Sequence, residues 1–242
     1  MNTSKAARAL YVCVVCVIAV TALHAQKKTK VPTLAACPAW GAEERGSTRG
    51  VLNEVKHHVP QSTTPILLTF EDIPVLQKQA DALVKSGPRA TVVAKDRAKL
   101  RNLTLGDRRV GEGDLVSMVG FLVGKATANV GESANCYLHG QSNNDFEIRF
   151  AQKAHTPEKD AIVAEMIPQN RPKEWTLTAI RGLANEGRQI LITGQLMFDS
   201  HHKIGDSPRF SLWEIHPTTK LLVCQKPDNT CDPAVADQWK PL

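Results

Sequence analysis

The residues in this chain best suited to chemistry are acids and imidazoles gathered toward its C-terminal half. Asp199, His201 and His202 end the run "ITGQLMFDSHH", Glu214 and His216 lie in "FSLWEIHP", and Asp145 opens "DFEIRFA". On a strand, positions two apart share a face, so Phe210, Leu212, Glu214 and His216 fall on one side while Ser211, Trp213 and Ile215 fall on the other. Carboxylates and imidazoles are natural ligands for divalent ions, and a bound ion can activate water against a phosphodiester or another ester. Asp145, Asp199, His201, Glu214 and His216 therefore form a candidate catalytic set, with Asp199, His201, Glu214 and His216 as candidate metal ligands. The plainer reading pairs Glu214 and His216 with Arg149, Arg209 or the backbone and leaves His201 and His202 as solvated loop residues. It is favoured because no H-E-x-x-H or comparable ligand spacing occurs, so no cofactor is required and a divalent metal is the alternative. His139, Asn143, Asn144 and Glu165 stand out as further polar residues. No G-x-S-x-G elbow and no phosphate-cradling glycine loop is present. "SHHK" satisfies S-x-x-K but lacks the companion motifs of serine acyl-enzymes.

These residues need elements to hold them. "EDIPVLQKQADALVKSGP" places Ile73, Leu76, Ala80, Leu83 and Val84 on one helical face, with Asp72 as cap, Pro74 in the first turn and Gly87-Pro88 as the stop. From Gly111 the pattern turns to short strands. "DLVSMVGFLVG" suits a long bent strand, its Gly120 and Gly124 marking the bends. "DFEIRFA" alternates Phe146, Ile148 and Phe150 against Asp145, Glu147 and Arg149, and "AIVAEMIP" is a third strand. "EWTLTAIRGLANEGR" has helical spacing and is closed by Gly187. "QILITGQLMFD" and "RFSLWEIHP" are the fourth and fifth strands, the last continued by "TTKLLVCQ". A mainly β chain of five strands with a helix between the third and fourth is the element order of an OB-like barrel. Gly194 suits one of its corners, a helical N-terminal extension packs on it, and a β-sandwich is the runner-up. Trp213 is expected on the barrel exterior under the "DIPVLQKQADAL" helix, or in the core if the faces are reversed. Trp175 is expected to plug a barrel end, Trp40 to sit beside a disulfide, and Trp239 to lie in a disordered tail.

The N-terminus reads as a secretory signal. Lys5 and Arg8 precede an apolar run from Ala9 to Leu23, short for a span that needs about 20 residues, and Ala25 is a plausible cleavage point. The divisions expected are a signal peptide at 1–25, an irregular extension at 26–69, a helix and basic connecting segment at 70–110, the barrel at 111–226 and a tail at 227–242. Cleavage leaves no membrane span and four cysteines in an oxidising compartment, with three connectivities open to two disulfides. The "QKPDNT" turn favours Cys224 with Cys231, and elimination then pairs Cys37 with Cys136. Loss of Lys5 and Arg8 lowers the formal charge from +6 to +4. Within residues 85–109 eight basic residues face only Asp96 and Asp107. Such a stretch can contact phosphates or an anionic surface, although a solvated connector is the commoner explanation.

In order, "EGDLVSMVGFLVG", "GESANCYLHG", "NNDFEIRFA", "VAEMIPQNRP", "ITGQLMFDSHH" and "SLWEIHP", together with the upstream "LNEVKHHVP" and "LTFEDIPVLQKQADAL", resemble a family of uncharacterised exported bacterial proteins with an OB-like core. The resemblance spans about residues 37–224 and implies export to the periplasm or exterior and a barrel, with no reaction or cofactor to carry over. Barrels of that kind hold single-stranded nucleic acid or oligosaccharide across their second and third strands, and Tyr137 and Arg149 are the ligand-binding candidates here. The expectation is a non-catalytic binding or interaction module for an anionic polymer or an envelope protein. The alternative is a metal-assisted hydrolase, which needs the five acidic and histidine residues to meet in one cleft.

Overall fold

A computed structural model of the protein describes residues 31–86, 92–205 and 208–242. The signal segment with its cleavage point at Ala25, the stop at Gly87-Pro88 and the basic Arg89 lie outside the described residues. Helix α1 (Thr48–His57) starts where the Ser47 hydroxyl accepts from the Gly50 amide at 3.0 Å. This helix falls inside 26–69, where proline frequency had suggested only irregular chain. Strand β1 (Ile66–Leu68), helix α2 (Asp72–Leu83) and the short α3 (Ala94–Arg97) follow. In α2, Ile73, Leu76 and Ala80 are buried as the spacing predicts, but Leu83 is exposed and Asp72 is the first helical residue rather than the cap. Its carboxylate instead accepts from the Thr69 amide at 2.8 Å. Strands β2 (Leu103–Leu105) and β3 (Arg108–Val110) form a small antiparallel hairpin.

The remaining strands are β4 (Leu115–Asn129), β5 (Asp145–Ala151), β6 (Ile162–Met166), β7 (Gln189–Phe198), β8 (Trp213–Cys224) and β9 (Trp239–Pro241). Helix α4 (Leu177–Glu186) lies between β6 and β7, started by the Thr176 hydroxyl and ended by Gly187 in the left-handed conformation. Five strands close a ring: β4 pairs with β5, β5 with β6, β6 with β8 in parallel, β8 with β7, and β7 back with β4. Strand β4 makes closure feasible because it is long and bent. Its first half pairs with β7, its second half with β5, and the register shifts between Val123 and Thr127. Two glycines allow the close approaches. A Cβ on Gly120 would meet the Ala151 carbonyl at 2.5 Å, and one on Gly194 would meet the Pro217 carbonyl at 2.3 Å. At Gly194 the pairing with β8 also shifts register, so the corner expected there is present.

Strand alternation sorts side chains between two environments. Met118, Phe146, Ile148, Phe150, Ile162, Ala164, Ile192, Phe198, Trp213 and Ile215 belong to one continuous core, joined by Trp175, Ile180 and Leu183 from the α4 region and by Ile73 and Leu76 of α2. Trp213 is thus in the core, with its ring edge-on to Phe198 at 5.2 Å, and not on the exterior beneath α2. The reason lies just upstream: Gln77 of α2 accepts from the Leu212 amide at 2.8 Å, so the helix meets the chain where it enters β8. The opposite strand face carries Asp145, Glu147, Arg149, Glu165, Glu214 and His216, in alternation with those core residues.

Two disulfides join Cys37 to Cys136 and Cys224 to Cys231. The first ties the segment leading to α1 onto the β4–β5 connection. The second supports a tail that is ordered rather than loose. Strand β9 pairs with β8, and Trp239 packs with Leu191 and both cysteines while its Nε1 donates to the Asp232 carbonyl at 2.8 Å. Arg45 stacks over Trp40 at 5.1 Å. Among the described residues no helix is long and apolar enough to cross a membrane.

Candidate functional site

The charged strand face is not open to water, because α1 lies across it. Gln195 of β7 donates from Nε2 to the Val55 carbonyl of α1 and to the His216 carbonyl of β8, each at 2.7 Å. Beneath this cover Asp145, Glu214 and His216 are fully buried and Glu165 is 2% exposed. Pairing explains how they meet. The parallel β6–β8 register sets Val163 beside Glu214, which brings Glu165 next to His216, and the antiparallel β5–β6 register carries Asp145 to the same end.

His216 sits among three carboxylates. Its Nε2 is 3.5 Å from Asp145 Oδ2, and its Nδ1 is 3.5 Å from Glu165 Oε2 and 3.8 Å from Glu214 Oε2. Asp145 Oδ1 accepts from Asn135 at 2.8 Å, and Glu214 Oε1 is ion-paired with Arg209, which also lies 3.8 Å from Asp199 Oδ2. Burial alone would strip the His216 proton, but Glu165, Asp145 and Glu214 outweigh it and hold the imidazole up at about 10. Burial drives Glu165 well above the ordinary carboxylate range, with His216 and Lys56 pulling only partly against it. Glu214 feels the same burial, yet Arg209 and His216 bring it down to about 2. Asp145 is lowered too, its burial overcome by His216.

Lys56 of α1 links this layer to the surface. Burial opposes its charge, but Glu132, Glu165, Asp199 and Asp145 more than compensate and raise it well above its ordinary value. Its Nζ lies 3.4 Å from Glu132 in the β4–β5 connection. Above it is a cleft of about 250 Å³ between that connection, at Glu132, Ser133 and Tyr137, and the β7–β8 connection, at Asp199, His201 and His202. Arg49 of α1 stands at its edge and bonds His201 Nε2 at 2.7 Å. A second cleft of about 550 Å³ runs along the other flank of α1, beside Glu54, His58, Arg101, Asp114 and Gln195.

The candidate set is therefore divided. Asp145, Glu214 and His216 converge in the buried layer. Asp199 and His201 do not join them at the His216 ring: Asp199 faces Arg209 and His202, accepts from the His201 amide at 3.0 Å, and lines the cleft with His201. The plain pairing of Glu214 with Arg209 is present. Arg149 is not a ligand-facing residue, since it is buried and ion-paired with Glu147 at 2.5 Å, whereas Tyr137 does line the cleft. Sequence reasoning noted Glu165 as a polar residue but left it out of the candidate set, and it did not single out Lys56. The signal for Glu165 was a lone acid inside the apolar "AIVAEMIP". Lys56 had none, because its helix was not anticipated.

No protein-family model matches the chain, and no curated protein is significantly similar to it. Among solved structures, a crystal structure of yeast Stn1 and Ten1 is similar at a TM-score of 0.34 and 12% identity, over 73% of this chain and 72% of that one. So loose a likeness carries no inference about activity, and the strand pairing itself is the firmer guide to the fold.

Proposed function

We propose that the chain is an exported OB-type module that binds an anionic polymer in the cleft between its β4–β5 and β7–β8 connections. The ring order supports the OB-type reading: first strand paired with second and fourth, third parallel to fifth, and a helix between third and fourth. In that architecture the loops after the first and fourth strands, with the face of the second and third, hold oligonucleotides and oligosaccharides. The observation that carries the proposal is that the cleft lies between those two loops here. Its acids are engaged, Glu132 by Lys56 and Asp199 by Arg209 and His202, and Arg49, His201 and Tyr137 also line it, Arg49 bonded to His201 and Tyr137 to Glu43. Lys95, Lys99, Arg101, Arg108 and Arg109 are exposed along the α3–β3 segment, and Arg101 lines the second cleft on the other flank of α1. Two disulfides suit an oxidising compartment, in keeping with the resemblance to exported bacterial proteins.

Hydrolysis finds less support. Of the five residues that would have to meet at a scissile bond, Asp145, Glu214 and His216 are buried beneath α1 while Asp199 and His201 line the cleft, so they do not share one opening. The deciding experiment is retention of the oxidised chain on immobilised single-stranded DNA and on an acidic polysaccharide over a salt gradient. Retention on at least one that falls with salt and weakens in Arg49→Ala is expected. Indifference to both at low salt overturns the proposal.

A further inference from the structure

The layer beneath α1 leaves more polar atoms unpaired than a finished core tolerates. Asp145 Oδ2, Glu165 Oε2, Glu214 Oε2 and both ring nitrogens of His216 are buried without a hydrogen-bond partner. Buried polar atoms are ordinarily satisfied, and those that are not mark a missing partner. One ligand atom from each of Asp145, Glu165 and His216 lies within 4.8 Å of the others. A zinc-sized ion with bonds of about 2.1 Å sets tetrahedral ligands roughly 3.4 Å apart, so contraction of the longest edge by at most about 1.4 Å closes this triangle. The contact of His216 Nε2 with Asp145 Oδ2, 3.5 Å, is already near that spacing, whereas Glu165 Oε2 stands beside the other ring nitrogen and must turn to the Nε2 side to join the ion.

From this geometry we infer that Asp145, Glu165 and His216 form a binding site for a divalent transition-metal ion, held in the layer between the ring and α1. Charge supports it. With Glu214 paired to Arg209, a dication bound by Asp145 and Glu165 takes over the positive charge that the His216 proton otherwise supplies. The donor set fits as well: one imidazole with two carboxylates suits zinc or manganese better than magnesium, which keeps its water and oxygen ligands. Nδ1 lies 3.5 Å from Glu165 Oε2 and 3.8 Å from Glu214 Oε2, so once Glu165 turns to the ion, Glu214 accepts that nitrogen's proton and Nε2 is left to the ion, the carboxylate–histidine–metal arrangement of many sites. The ion's role is to fasten the three strands β5, β6 and β8 at one point. It does not depend on what the cleft binds.

The test uses the full oxidised chain, untagged, stripped with chelator and titrated with zinc alone. One equivalent of zinc, bound with a rise in melting temperature, is expected. Binding should vanish in His216→Gln and weaken in Glu214→Gln by about 10- to 100-fold, the usual cost of losing a partner behind a metal-bound histidine. It should persist in the His201→Ala/His202→Ala double variant, which removes the imidazoles at the cleft. In case His216→Gln does not fold, nitrogen NMR of the wild-type ring serves instead: zinc must shift one His216 nitrogen and leave the other protonated. A ring whose two nitrogens both stay protonated in excess zinc overturns the inference, as does binding that survives His216→Gln or disappears with His201 and His202. In those outcomes the cluster is an imidazolium clamp, or the ion sits in the cleft. Polymer retention measured with chelator present tests the cleft separately.

Discussion

Glu214 and Arg209 are among the most deeply buried ions described, with side chains 0% and 2% exposed. Such a pair can contribute little net stability, yet removing one partner strands the other without water. Arg209→Ala should therefore cost about 3–5 kcal/mol in urea unfolding. The same residues set the pH response of chelator-treated protein. Glu214 is lowered to about 2 from 4.5, so its stabilisation is complete above 4.5 and disappears as pH falls toward 2. His216 is raised from 6.5 to about 10, so its contribution is complete below 6.5 and is lost as pH climbs through 10. Glu165, raised by burial, acts in the same sense as His216. Urea midpoints should be highest near pH 5 to 6 and fall on both sides; a midpoint that keeps rising to pH 9 would contradict this assignment. At this scale the sequence disclosed which residues were unusual but not which would meet. Period-two alternation put Glu214 and His216 on one face, whereas their convergence with Glu165 and Asp145 depends on a parallel β6–β8 register that no local pattern encodes.

Among the elements, the strands and α4 were legible because each carries its own punctuation: alternation in β5, helical spacing closed by Gly187 in α4, glycines at the bends. Helix α1 was not. Its apolar face is thin, Gly50, Leu52, Asn53 and Lys56 being its buried residues, because the surface it covers is charged and calls for polar partners. Hydrophobic periodicity cannot reveal a helix whose buried side is built from an amide and an ammonium. The tail around Trp239 was missed for a related reason, since its order comes from a disulfide and from pairing with β8. Two changes test these elements. Ser47→Ala removes the α1 cap and should cost about 1 kcal/mol, seen as faster amide exchange in α1 with β7 unaffected. Gly194→Ala drives a methyl toward the Pro217 carbonyl and Ile215, and should destabilise the whole ring by about 1–3 kcal/mol. Equal exchange rates in Ser47→Ala and wild type would show that packing alone holds the helix.

For the whole molecule, α1 reaches its place on the ring through a long stretch of chain, and Cys37–Cys136 closes a loop of 99 residues. On the chain-entropy view a cross-link of that length is worth roughly 4–5 kcal/mol. A Cys37→Ser/Cys136→Ser variant should lose about that much and loosen α1 before the ring. Its retention on the polymer should fall, because one wall of the cleft belongs to α1. Retention equal to wild type would separate the cleft from the helix. This cross-link also has a consequence in time and place. While thiols stay reduced, nothing covalent holds the first segment against the ring, and the ionic layer that segment seals is left to compete with water. On the proposed reading, oxidation fixes the α1 wall of the cleft and the cover of the charged layer with the same bond, so an oxidising compartment is where both are completed.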